Sequence, residues 1–267
     1  MRLKGRLHQA HDAGGSKLVV WRQAGPFLYN HREESTVTEV LSLARYLPLL
    51  STLTAWSFAV ILFLHWRHKP GRTHLLFWFV GMVAYGIGSF AEALTAFGPW
   101  NDVLLKTWYI AGALLGAAPL AQGSIYLHFK KKTANIMAVC AGAFALVAAL
   151  CVSLSPVSLL ADHTRLTGIG TFEWTWVRLF SPFLNSYAVV FLVGGAAWSA
   201  LQFARKKDAP NRLAGNLLIT AGALLPAIGG SLARFGLTGL LALTELLGIL
   251  LIWGGYTLMV RSPRAPR

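Results

Sequence analysis

The chain has 267 residues, of which 55% are hydrophobic and only 13% charged. A water-soluble domain carries about a quarter charged residues, so this much apolar surface cannot be hidden in one soluble core. The net charge of +14 does not imply nucleic acid as a partner, because the lysines and arginines fall in short clusters between apolar stretches and not in one basic patch or helix.

The first 36 residues are polar, carry six lysines and arginines, and have neither helical nor strand period. They also lack the apolar core of a signal peptide. Two readings follow for residues 1–36. They are a disordered tail, or the natural start is Val37, read from an alternative start codon. A basic tail is unfavourable to translocate, which favours the second. N-terminal sequencing of the purified protein decides between them; an intact Met1–Thr36 segment rules out the second.

Residues 37–260 read as an all-α, seven-helix transmembrane domain, followed by a basic tail over 261–267. A span needs about 20 mostly apolar residues. Seven stretches qualify: Tyr46–Trp66, Leu75–Phe97, Val103–Phe129, Ala134–Ser153, Thr175–Phe203, Leu213–Phe235 and Gly239–Val260. Polar, proline-rich or glycine-rich breaks separate them, such as Arg67-His68-Lys69-Pro70-Gly71-Arg72 and Lys130-Lys131-Lys132. Most breaks are too short to hold a soluble catalytic or DNA-binding module.

The loops after helices 1, 3 and 5 and the C-terminal tail carry three, three, four and three lysines and arginines, thirteen in all. Beyond Tyr46 the rest of the chain has only Lys106, Arg165, Arg178 and Arg234. The positive-inside rule then puts the C-terminus in the cytoplasm and the N-terminus outside, with a cell membrane, of the bacterial inner or plasma type, as the location. Aromatic belts agree: Trp66, Trp78, Trp198 and Trp253 near the inner interface, Trp100, Trp108, Trp174 and Trp176 near the outer one.

Ionisable residues inside a span demand a partner or a purpose. Glu92 in helix 2 shares a small, polar stripe with Gly81, Tyr85, Gly88 and Ser89, so it faces the bundle. Glu245 in helix 7 lies at similar depth, on a face with Thr238, Gly248 and Gly255. Helix 6 ends with Arg234, helix 5 offers Ser181 and Asn185, and helix 3 offers Tyr109 beside a Gly112/Gly116 pair. A helix so lined can be approached closely, which makes helix 3 the expected central packing element. Glu92, Tyr109, Asn185, Arg234 and Glu245, with Lys106 at the edge, form the candidate site. They read either as an ion-pair network locking the helix ends, with Arg234 neutralising one or both glutamates, or as an outward-facing polar pocket for a small ligand or ion. Two carboxyl groups close together in low dielectric can also carry a proton.

Cys140 and Cys151 lie eleven residues apart in one apolar stretch, about 16 Å along a helix, too far for a disulfide between them. His65, His68, His74 and His128 fall at the inner interface among basic neighbours, which disfavours a metal or haem site there; no cofactor is expected. Seven helices with an outside N-terminus match the topology of retinal proteins, but helix 7 has no lysine for a Schiff base. HExxH, GxSxG and P-loop patterns are all missing from the sequence, and no catalytic residue is assigned.

The functional expectations rank accordingly. First stands a membrane sensor or binding protein with an outward-facing polar pocket, signalling through a cytoplasmic protein partner that docks on the basic loops. Second is a small-solute or proton-coupled transporter. Third is an intramembrane lipid-modifying enzyme using Glu92 or Glu245 as acid or base. Membrane lipids are partners in every case, and anionic headgroups suit the basic loops.

Overall fold

The computed structural model describes residues 45–98, 101–158, 166, 170–205, 210–234 and 239–261, excepting the side chains of Ala233, Arg234 and Gly239. The readings of residues 1–36 and of the tail past Arg261 lie outside the described residues. Among those described, seven helices are long and apolar enough to cross a membrane, as expected for a multi-pass membrane protein. They are α1 (Leu47–His68), α2 (Thr73–Thr95), α3 (Asp102–His128), α4 (Lys131–Leu154), α5 (Thr175–Ala204), α6 (Pro210–Arg234) and α7 (Gly239–Arg261). Each boundary lies within three residues of its sequence expectation.

Local chemistry sets the ends. Pro48 sits in the first turn of α1, where a missing N–H costs nothing. Lys69-Pro70-Gly71 stops that helix. Asn101 caps α3, its side chain accepting from the Leu104 N–H at 2.8 Å. The spans α3 and α5 are not uniform. In α3 a π-helical segment over Tyr109–Leu114 precedes a break at residues 115–117. Pro119 follows two residues later, and a proline ring crowds the turn before it and donates no hydrogen bond. In α5 a 3₁₀ turn over Thr175–Leu179 and a π segment over Val189–Val193 interrupt the α geometry.

Neighbouring spans pack in chain order, and α7 closes back onto α1. The span α3 meets three others, α2, α4 and α5. Its approach to α2 is close: a Cβ on Gly88 would lie 2.7 Å from the Cα of Gly112. The span α4 is the most peripheral, with 17% of its apolar window buried against 39% in each of α1, α2 and α3.

The tightest seam joins α6 to α7. Gly215, Gly222 and Gly229 recur every seven residues on α6 and meet Gly255, Gly248 and Leu241 on α7, which recur at the same interval in reverse. A Cβ on Gly222 would stand 2.6 Å from the Gly248 carbonyl oxygen, and one on Gly248 would stand 2.7 Å from that of Gly222. Between lipid-facing helices such backbone proximity, and not exclusion of water, supplies the attraction.

Two apolar cores result. One gathers Phe58 and Leu62 of α1, Met82 of α2, Leu120 of α3, Ile219 of α6, and Ile249 and Tyr256 of α7. The other joins Leu105, Tyr109 and Leu114 of α3 to Val152 of α4 and to Phe172, Val177 and Leu184 at the entrance to α5.

Candidate functional site: a buried pair of glutamates

Contacts along the bundle fix which residues share a level. The spans α1 and α2 run antiparallel, with Tyr46 against Phe97, Trp56 against Phe90 and Phe63 against Phe79. In that register Ser51 stands level with Glu92. The spans α2 and α7 are also antiparallel. Near their basic ends Trp78 meets Tyr256 with ring centroids 6.2 Å apart. Eleven residues further along each helix, Ser89 comes alongside Glu245. Glu92 follows Ser89 by one helical turn and so also lies near Glu245. The Tyr85 hydroxyl, one turn on the other side of Ser89, lies near both carboxyl groups.

The two glutamates are therefore held in one cluster by α1, α2 and α7. Neither is wholly enclosed as a residue, yet the Oε2 atom of each is fully buried and has no hydrogen-bond partner among the described residues. The Tyr85 hydroxyl and the Ser51 Oγ are in the same condition. Most buried polar atoms find a partner, and leaving a group unsatisfied costs about 1–3 kcal/mol, more when it is charged. Four such atoms within about two helical turns mark a place where the fold presents oxygen atoms without spending them on its own structure.

The other expected site residues go elsewhere or lie beyond description. Tyr109 is buried in the second core, with its ring edge-on to Phe172 at 5.0 Å, where it anchors the connection between α4 and α5. Asn185 is exposed and donates to Ser181 Oγ at 3.1 Å on its own helix, while Ser181 donates to the Ala113 carbonyl at 3.2 Å beside the irregular part of α3. The Arg234 side chain lies outside the described residues. The glycine seam puts position 225 of α6 opposite Glu245, and the Arg234 backbone lies nine residues past it, about 13 Å along the axis. Lys106 donates to the Ser153 carbonyl at 2.9 Å, one of the carbonyls left open at the end of α4.

Sequence periodicity put Tyr85 and Ser89 on the stripe of Glu92, and the structure keeps them together. It put Glu245 on the face of Gly248 and Gly255, but those glycines face α6 while Glu245 turns to α2; position 248 is about 60° round the helix from position 245. Ser51 was missed. Its one signal is that Ser51-Thr52 is a polar pair in an otherwise apolar span, and only the register of α1 on α2 gives it meaning. Neither of two cavities in the bundle touches the glutamates. One is an apolar void of about 20 Å³ among Phe58, Trp78, Leu120 and Tyr256. The other is a groove between α2, α3 and α4.

At the basic end the histidines are used individually. His65 Nδ1 pairs with the Tyr256 hydroxyl at 2.5 Å. His128 Nδ1–H donates to the Ser124 carbonyl at 2.7 Å, and its Nε2 pairs with Ser199 Oγ at 2.8 Å. Among the described residues, no three His, Cys, Asp or Glu side chains converge as a metal site would require. No family model, curated protein or solved structure matches the chain.

Proposed function

We propose that the protein is a membrane sensor or binding protein whose ligand is a small cation, a proton included, held by Glu92 and Glu245 between α1, α2 and α7. One observation carries this reading: the fully buried Oε2 atoms of both glutamates, which have no partner among the described residues, beside the Tyr85 hydroxyl and Ser51 Oγ in the same condition. Two carboxylates sharing a low-dielectric site repel each other, and a compensating positive charge relieves both the repulsion and the desolvation cost. Oxygen donors of this kind suit hard cations.

The span α7 links this site to the other end of the bundle. Glu245 lies at one end and Tyr256, which touches Phe58, Trp78 and His65, lies three turns away. Binding that shifts Glu245 against Ser89 shifts Tyr256 against His65. The charge distribution assigns the His65 end to the cytoplasm, where Arg67, Lys69, Arg72 and Lys130–Lys132 offer a surface for an acidic protein partner or for anionic lipid headgroups.

Thermal melting of the full chain in detergent tests the reading. At fixed ionic strength, choline is replaced by sodium, calcium or methylammonium, and pH is varied separately. At least one of these changes alters Tm in the wild type and not in Glu92→Gln/Glu245→Gln. If wild type and double variant respond alike to every change, the reading fails. If Arg234→Gln reproduces the double variant, the ion-pair network is the correct account.

A proton-coupled transporter is the second reading, favoured by the interrupted geometry of α3 and α5, since such segments concentrate at functional sites. It predicts flux in proteoliposomes that collapses in either glutamine variant, whereas a sensor shows binding without flux.

A further inference from the structure

The second cavity is a groove of about 430 Å³ between α2, α3 and α4, within the usual range of about 300–1,000 Å³ for small-molecule sites. Its two ends differ in chemistry. Lys106, Thr107 and Ser153 line it near the bundle end, since Lys106 lies in the second turn of α3 and Ser153 one residue before the end of α4. Ile87, Ile110 and Leu115 line it further in. Leu115 follows Lys106 by nine residues, about 13 Å towards the middle of the membrane.

The cation at the mouth is held in place. Among the described residues Lys106 has one hydrogen-bond acceptor, the Ser153 carbonyl at 2.9 Å. An ammonium has three donors, so two remain to be directed at an anion. The π segment of α3 supplies Ile110, and Leu115 lies at the break that follows it, so the irregular geometry of this helix shapes the apolar wall. A fixed cation at interface depth above an apolar furrow open to lipid complements an anionic headgroup with an acyl chain below it.

We infer that the groove between α2, α3 and α4 is a binding site for one anionic membrane phospholipid, with its phosphate on Lys106 and one acyl chain along Ile87, Ile110 and Leu115. The inference is independent of the glutamate site.

Photo-crosslinking of the full chain in nanodiscs tests it, with an anionic phosphatidylglycerol probe carrying a mid-chain diazirine and a zwitterionic phosphatidylcholine probe carrying the same chain. Mass spectrometry maps the adducts. The anionic probe should label the peptides around Ile87 and Ile110–Leu115 at least several-fold above the zwitterionic one. Lys106→Gln should lose that excess and Lys106→Arg should keep it, with labelling at α4 and α5 surfaces unchanged in both. Lys106 also ties α3 to α4, and the unchanged surfaces together with the arginine rescue separate lost binding from lost structure. Equal labelling by the two probes, or an excess that survives Lys106→Gln, overturns the inference. If a diazirine fatty acid labels the groove and the phospholipid does not, the ligand is a free carboxylate and the inference fails in that form.

Discussion

Ser89 of α2 lies alongside Glu245 of α7 in the same antiparallel register that brings Trp78 against Tyr256 eleven residues away on each helix. One helix pair thus presents a carboxyl group at one end and an aromatic lock at the other. Ser89 is buried, with 4% of its surface exposed, so removing its hydroxyl strips a polar contact from a carboxyl group that water does not replace. Ser89→Ala should lower stability by about 1–2 kcal/mol. In a double-mutant cycle with Glu245→Gln the two effects should fail to add by at least about 0.5 kcal/mol. Full additivity in thermal or denaturant unfolding would disprove the contact.

The α6–α7 seam has no room for a side chain. Gly222→Leu should cost about 1–3 kcal/mol or more through overpacking, because its Cβ alone would come within 2.6 Å of the Gly248 carbonyl oxygen. Leu224→Ala, two residues on but 37% exposed, should change Tm far less. Similar Tm losses for the two variants would contradict the observed packing.

Gln122 is a buried connector. Its Nε2 donates to the Ala134 carbonyl of α4 at 2.9 Å, and its Oε1 accepts from the Tyr187 hydroxyl of α5, so one side chain ties α3 to two neighbours. Tyr187→Phe leaves that Oε1 without its donor and should destabilise by about 1–3 kcal/mol. Tyr126→Phe should cost less, because its partner Asn135 is exposed.

The assignment of sides rests on thirteen lysines and arginines at one end of the spans. A fluorescent protein fused after Arg267 should fold and emit, while a periplasmic reporter enzyme fused there should be inactive. The opposite pattern inverts the topology and moves the glutamate end to the cytoplasmic side.

The spans were legible because a bilayer imposes one length and one chemistry on every crossing. Proline, glycine and lysine clusters then marked the ends to within three residues. The carboxylates were legible for the same reason, since Glu92 and Glu245 are costly where they sit. What periodicity could not supply was rotation and register between helices. It grouped Tyr109 and Asn185 with the glutamates by depth alone, and depth does not say which neighbour a side chain faces. Tyr109 turned to Phe172, a residue of the α4–α5 connection with no helical period to read. Gly215, Gly222 and Gly229 were visible as glycines, but their seven-residue match to α7 appears only when both helices are laid side by side.

Infrared difference spectroscopy of the full chain in lipid nanodiscs, recorded as pH and then the bound cation are stepped, tests the glutamate site most directly. A reversible carboxyl band is expected that weakens in Glu92→Gln, weakens in Glu245→Gln and vanishes in the double variant. A wild-type spectrum with no carboxyl change, or a band that persists in the double variant, would contradict it.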